Sequence, residues 1–499
     1  METERATHER FENVRPMVAR WVITGTLTLD SATHFGGDGE GFADMKILRD
    51  SKDGSPLLPG SSLAGALRSY LADVMCGYCS EEHKYVAELF GTARGDDEGS
   101  QSPLIVFDSL SLPDKQNFEI RDGVAINPKT GTAEQHMKYD IEVLPAGTRF
   151  PVRLELIVEK SEQEPALVAR LVKSLDGLCN GEIALGMRRS RGLGSVKTDC
   201  WQAIRFDLTT QSGWLQWLTS DHENPANHFI QRFCFPLDAV RHALSCAECS
   251  FQAIEYDLSQ IIDKRTRVII DALLHVEGDL LIRSPGDNSA GADVIHLHSA
   301  GNPVLPGTSL SGALRAQALK IAQFVHFSMG DGVKLINNLF GPRIEKKKRD
   351  ETDSVQPRAS KLRISESVLS NKDTRRQTRI AIDRFNGGVV SGALFEEQVH
   401  SGGYAKVKIE LRIAADAKEE TTKVEIGLLL LLLKDLLSGQ IPVGGAVSVG
   451  RGILKGSAII RLEDGKEYKI PSDLNVSEAV RNTFDNYIKW FIDLEEVCS

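Results

Sequence analysis

Two cysteine pairs and three basic clusters are the groups in this sequence whose types and spacing could do chemistry. Cys76 and Cys79, with His83 close behind, and Cys246 and Cys249, with His242 just before, have the Cys-x-x-Cys spacing that supplies part of a tetrahedral zinc shell. Neither has an obvious second pair nearby, so ordinary buried thiols are the simpler account of both. Arg188, Arg189 and Arg191 form one basic cluster, Lys346, Lys347, Lys348 and Arg349 a second, and Arg375, Arg376 and Arg379 a third. Such cations hold phosphate oxygens without reading bases. The second cluster is followed at once by Asp350, Glu351 and Asp353, which equally suits a solvated loop. A formal charge of −10 does not exclude a nucleic-acid partner, because net charge averages over faces that never meet the ligand. A nucleotide-phosphate enzyme has less support. There is no Walker A segment, and no Gly-x-Gly-x-x-Gly follows a strand and opens a helix.

Something larger than one core must carry these groups. With about 150 residues per domain as a guide, 499 residues allow two to four. A hydrophobic fraction of 41% and a charged fraction of 26% are ordinary for a globular protein. The longest apolar run, Leu428 to Leu433, is closed by Lys434 and Asp435. A membrane helix needs about 20 apolar residues, so a buried helix is expected there and no membrane partner. The first residues are charged throughout, without a signal-peptide core. The expected location is cytoplasmic, where eight cysteines do not imply a disulfide framework.

An internal duplication sets the architecture. Leu57 to Leu71 (LLPGSSLAGALRSYL) returns as Val304 to Leu319 (VLPGTSLSGALRAQAL), Glu88 to Gly91 (ELFG) as Asn338 to Gly341 (NLFG), and Leu175 to Gly186 as Leu433 to Gly444. The order is kept, and the spacing drifts only by short insertions. Each copy opens on an alternating strand, Trp21 to Leu29 and Arg267 to Val276. Then come a Gly-containing loop and Pro-Gly-Ser/Thr-Ser, whose hydroxyls are expected to cap a helix. Alternating strands, a second helix and a second Gly-rich loop follow. The order β-α-β-β-α-β predicts an α+β fold of two tandem ferredoxin-like domains, similar in plan to the RNA recognition motif. The expected division is 1–200, a connector over 201–262 that matches neither copy and holds Trp201, Trp214 and Trp217, and 263–499.

An alternating strand, a Gly-rich loop, an acidic residue, PGSS-L-x-G-x-LR, LFG and a C-terminal Gly-rich loop (Gly186 to Val196, Gly444 to Leu454) together resemble the RAMP superfamily. More narrowly, the pattern resembles the backbone subunit of type III CRISPR–Cas effector complexes. Two copies in one chain are similar to the fused backbone subunits of type III-D variants. Each motif is weak alone; their ordered appearance twice is specific.

The resemblance implies a chain that lies along a CRISPR guide RNA, with a β-hairpin thumb per domain parting the guide–target duplex, beside other backbone and capping subunits. It implies cleavage of complementary target RNA near a loop acid, with Mg2+ or another hard divalent cation. That position falls on Asp44 and Asp293, and His34 stands where the family often has histidine. The second copy has Leu281 there; His296 and His298 are its nearby substitutes or plain strand residues. One carboxylate suits RNA, whose 2′-OH is its own nucleophile. The implied RNA-binding set is Arg188, Arg189, Arg191, Gly192 and Gly194, then Gly444, Gly445, Gly450, Arg451 and Gly452, with Ser61, Ser62, Thr308 and Ser309. Thumbs are expected at Phe118 to Val143 and Thr378 to Val399, presenting Met137 or Phe385 as wedges. A scaffold that coats guide RNA without cutting is the alternative.

Overall fold

The opening strand of each repeat sends every second side chain inward, because successive residues of a strand face opposite sides. In β1 (Ala19–Leu29) the inward set is Ala19, Trp21, Ile23, Leu27 and Leu29; in the second copy it is Val268, Ile270, Ala272, Leu274 and Val276. Each fully buried side chain of this size contributes roughly 1.5–3 kcal/mol. The computed structural model describes residues 15–37, 43–79, 83–92, 100–113, 118–127, 130–221, 231–247, 249–286, 291–325, 329–342 and 358–493. The Lys346 to Arg349 cluster lies outside them.

The first repeat contains β1, helix α1 (Gly60–Cys76), β2 (Leu104–Val106), the hairpin β3 (Glu119–Ile126) and β4 (Ala133–Val143), β5 (Arg149–Val158), α2 (Glu164–Cys179) and β6 (Val196–Asp207). Leaving out the hairpin, the strands pair antiparallel in the order β6-β1-β5-β2. This is the ferredoxin-like order 4-1-3-2. Helices α3 (Pro236–Cys246) and α4 (Gln252–Gln260) then pack on α2 and β6.

The second repeat contains β7 (Thr266–Glu277), α5 (Gly307–Val325), β8 (Leu362–Ile364), the hairpin β9 (Thr374–Ile382) and β10 (Val389–Ser401), β11 (Tyr404–Ile413), α6 (Glu419–Leu437) and β12 (Ile453–Arg461). Its sheet has the same order, with β13 (Glu467–Ile470) added at the edge. Helix α7 (Glu478–Ile492) lies along α6, and a Cβ on Gly427 would overlap the Tyr487 carbonyl, so glycine permits the approach. The Leu428 to Leu433 run is thereby enclosed between sheet and helix, as its composition required.

One expectation is corrected. A boundary at residue 200 cuts β6, which runs to Asp207. Trp201 is fully buried in the first core and exchanges main-chain hydrogen bonds with Phe233 at 2.7 and 2.9 Å. The connector supplies the first copy's outer helices, as α7 does for the second. Both sheets also have one face partly covered. In the first, Trp214 and Trp217 pack on Val22, Phe206 and Leu208, and Arg20 lies 4.1 Å over the Trp217 ring. In the second, Arg412 pairs with Asp73 at 3.3 Å and Glu410 accepts from the Tyr78 hydroxyl at 3.2 Å, so the first copy covers that end of the face.

Candidate active site and nucleic-acid interface

The loop after β1 reaches the base of the β3–β4 hairpin and is fixed there by one carboxylate. Asp44 Oδ2 accepts the main-chain N–H of Asp140 at 2.9 Å, while Met45 N–H donates to the Asp140 carbonyl at 3.1 Å. The second copy repeats this clip: Asp293 Oδ2 accepts the Glu396 N–H at 2.8 Å, and Asp293 N–H donates to the Glu396 carbonyl at 2.9 Å. Both aspartates are exposed. The two positions that the resemblance singled out therefore occupy equivalent places in the structure, at the root of each hairpin.

In the first copy Asp44 lines a cleft of about 540 Å³ with His34, Gly36, Gly37, Met45, Lys46 and Leu48. His34 is buried, and its Nδ1 lies 2.7 Å from the Glu142 carbonyl. A carbonyl only accepts, so Nδ1 carries the proton and Nε2 presents a lone pair. The thumb also brings acids that sequence reasoning missed. Asp122 and Asp140 face each other across β3 and β4, with Lys138 Nζ at 3.0 Å from Asp122 and 3.8 Å from Asp140. Burial, the hydrogen bond with Asp122 and the nearby charges of Asp122 and Asp44 push the Asp140 carboxyl up, and its Oδ1 has no hydrogen-bond partner. The period-2 register of the hairpin was the signal that could have found this pair.

The donor set of carboxylate oxygens suits a hard divalent cation. Among the described residues, no three His, Cys, Asp or Glu side chains converge as a complete metal site. Asp44 and Asp140 would supply only part of a shell completed by water and phosphate. At the second centre the position of Asp122 is Thr378, and Arg376 pairs with Glu396 instead. His296 and His298 do not take the part of His34. His296 Nδ1 accepts from Ile282 N–H at 3.2 Å and Nε2 donates to the Val304 carbonyl at 3.0 Å, while His298 Nδ1 donates to the His296 carbonyl at 2.6 Å.

The cysteine pairs are placed apart from this chemistry. His83 caps the helix Lys84–Phe90, accepting from Tyr85 N–H at 3.3 Å, and Cys76 is half-buried beside exposed Cys79. Cys246 Sγ lies 3.8 Å from His242 Nε2, and Cys249 contacts the Ala247 carbonyl at 3.4 Å.

The expected RNA-binding residues divide sharply. Arg189 and Arg191 are exposed, and Arg188 stacks 4.6 Å over the Tyr139 ring of the thumb. Arg451 is buried, 4% exposed, and bonded to Glu397 at 2.8 Å and to Gln377, so it braces the second thumb and does not face a ligand. Glu397 also lies 3.3 Å from Arg379 and 3.9 Å from Arg283, whose side chains are 37% and 62% exposed. These cations, not Arg451, face solvent. Gly192, Gly194, Gly444 and Gly452 all have positive φ and pack on protein main chain or, for Gly444, also the Ile282 side chain; Gly445 lies beside Arg283, and Gly450 is open. Ser61 and Ser62 are exposed in the first turn of α1 but do not cap it: Pro59 is the N-cap, and Asp108 accepts the Gly60 N–H at 2.7 Å. Thr308 and Ser309 are half-buried. Of the wedges, Phe385 sits in the second hairpin's turn, 90% exposed, whereas Met137 is half-buried within β4 and not at a tip.

Two ferredoxin-like domains, each with a Gly-rich loop and a hairpin rooted on a loop aspartate, define a tandem chain built on one duplicated fold. The chain belongs to the RAMP superfamily, whose family model matches it twice, over residues 26–197 and 275–455. It is also 28% identical over 211 residues, 36% of this chain and 86% of the relative, to the CRISPR system Cms endoribonuclease Csm3 of Mycobacterium tuberculosis (strain ATCC 25618 / H37Rv).

Proposed function

We propose that this chain is a double backbone subunit of a type III CRISPR effector complex, binding guide RNA and cleaving complementary target RNA once per domain. The repeated clip between a loop aspartate and a thumb amide carries this reading. It puts an exposed carboxylate where a hairpin that parts a duplex would leave one phosphodiester splayed. The 2′-OH can then attack the adjacent phosphorus in line, expelling the 5′ oxygen of the next nucleotide and leaving a 2′,3′-cyclic phosphate. Asp44, or the His34 Nε2 lone pair, takes the 2′-OH proton, and water gives a proton to the departing 5′ oxygen, which leaves as a 5′-OH. A divalent cation held by Asp44, Asp140, water and substrate would stabilise the developing charge. Arg189 and Arg191, with Arg283 and Arg379, contact phosphates irrespective of sequence, leaving recognition to base pairing.

The interface between the two copies supports assembly with neighbours of the same kind. Arg121 of the first thumb pairs with Glu366 at 2.5 Å, Glu119 accepts the Ala300 N–H at 2.7 Å, and a Cβ on Gly307 would come 2.7 Å from the Arg191 carbonyl. Among the described residues, the corresponding surfaces at the far ends are exposed: Ser61 and Ser62 at one, Val447, Val449 and Phe385 at the other. Other backbone or capping subunits would cover them.

The test is cleavage of labelled target RNA by the reconstituted guide-loaded complex, comparing wild type, Asp44→Ala, Asp293→Ala and the double variant. Loss of a different product from each single variant, with target binding retained, supports two cleavage centres. Unchanged products from all four identify a scaffold that does not cut.

A further inference from the structure

The third basic cluster, on β9, is exposed, yet each of its arginines is paired with an acid. Arg375 lies 3.5 Å from Asp279, Arg379 lies 3.3 Å from Glu397, and Arg376 grips the centre itself. Its guanidinium pairs with Glu396, the residue whose amide Asp293 holds, and donates to the Gly291 carbonyl, two residues before Asp293, at 2.5 Å. The Arg376 side chain nonetheless remains 52% exposed. In the first copy the register puts Ile120 at this position, Asp122 where the second has Thr378, and Lys138 where it has Leu394. Asp140 of the first centre thus has Asp122, Lys138 and Asp44 as its charged neighbours, while at the second centre Arg376 pairs with Glu396, whose amide Asp293 holds.

From this we infer that Arg376 is the second centre's own cation: it neutralises the Asp293–Glu396 pair, excludes a divalent ion and offers its free N–H groups to the target phosphate. The inference rests on the cleavage reading above. A guanidinium matches two phosphate oxygens in one plane and keeps its charge at all working pH. A small divalent cation sheds water reluctantly and needs uncompensated carboxylate, which Arg376 removes.

Mn2+ binding to the full chain by electron paramagnetic resonance tests this without turnover. The expected result is one site of the higher affinity, abolished by Asp44→Ala and untouched by Asp293→Ala, with a second site appearing in Arg376→Gln. In the guide-loaded complex, lowering Mg2+ should remove the first product before the second. Arg376→Gln should slow the second at low Mg2+ by at least about tenfold, the worth of one charge-assisted hydrogen bond, with recovery at high Mg2+; Arg376→Lys should retain most of it. Two equal Mn2+ sites in the wild type, each lost with its own aspartate, or an unchanged Mg2+ dependence in Arg376→Gln, would overturn the inference. If Asp293→Ala leaves both products, the cleavage reading of that centre fails, and the ion count still decides the electrostatic claim.

Discussion

The Asp44 carboxylate accepts the Asp140 main-chain N–H at 2.9 Å, so the acid that would serve the 2′-OH is also the clip that roots the first thumb. Asparagine separates the two duties, because its side-chain carbonyl still accepts the amide. Asp44→Asn and Asp44→Ala should both slow the first cut by about 10²–10⁴-fold, the usual worth of a general base. Only Asp44→Ala should speed hydrogen exchange at the Asp140 amide. Wild-type cleavage by Asp44→Asn would reduce Asp44 to a structural clip.

Arg451 and Arg283 should behave as opposites. Removing Arg451 withdraws a buried partner from Glu397, which is 7% exposed, and should cost roughly 3 kcal/mol in denaturant unfolding. The salt dependence of RNA binding should stay as it was. Arg283→Ala should leave stability within about 0.5 kcal/mol and lower the slope of log K against log salt by about 1.

The Arg121–Glu366 pair, with side chains 7% and 4% exposed, ties the first thumb to the second domain. Arg121→Ala should destabilise by about 3–5 kcal/mol, since it strands a buried carboxylate. Replacing both by methionine should restore most of that loss. Recovery no better than in the single variant would show that the pair fixes orientation as well as charge.

Acid should unfold the second domain through His296. Burial, with the charges of His400 and His298, lowers its pKa from 6.5 to about 3. The unfolded chain therefore takes up the proton first, so this stability is complete above pH 6.5 and declines as pH falls toward 3. The slope should be about 1.4 kcal/mol per pH unit, flattened in His296→Gln. Below pH 4.5 Glu182 adds to the loss: although burial raises it, Tyr70, Arg265 and Arg267 hold it at about 2. A denaturant midpoint equal at pH 7.5 and pH 5 would contradict the His296 account.

Much of this was legible in the residues. Period-2 strands, the repeated PGSS/PGTS and LFG segments and the Leu428 to Leu433 helix are local patterns, and local patterns survive folding. Asp44 and Asp293 were singled out by resemblance to a family pattern that occurs once in each copy. What the sequence could not determine was which charged groups meet across long separations. Arg451 sits in a Gly-rich loop exactly like a phosphate contact in composition, yet Glu397 claims it from a different strand. Arg376 is one of three clustered arginines along the chain, and only the hairpin register carries it over Glu396. Asp122 and Asp140 become neighbours only when β3 pairs with β4. Solvation and Coulomb attraction depend on distance in space and on burial. The repeat and its strands could therefore be read along the chain, whereas the charge of each centre was decided only by the tertiary structure.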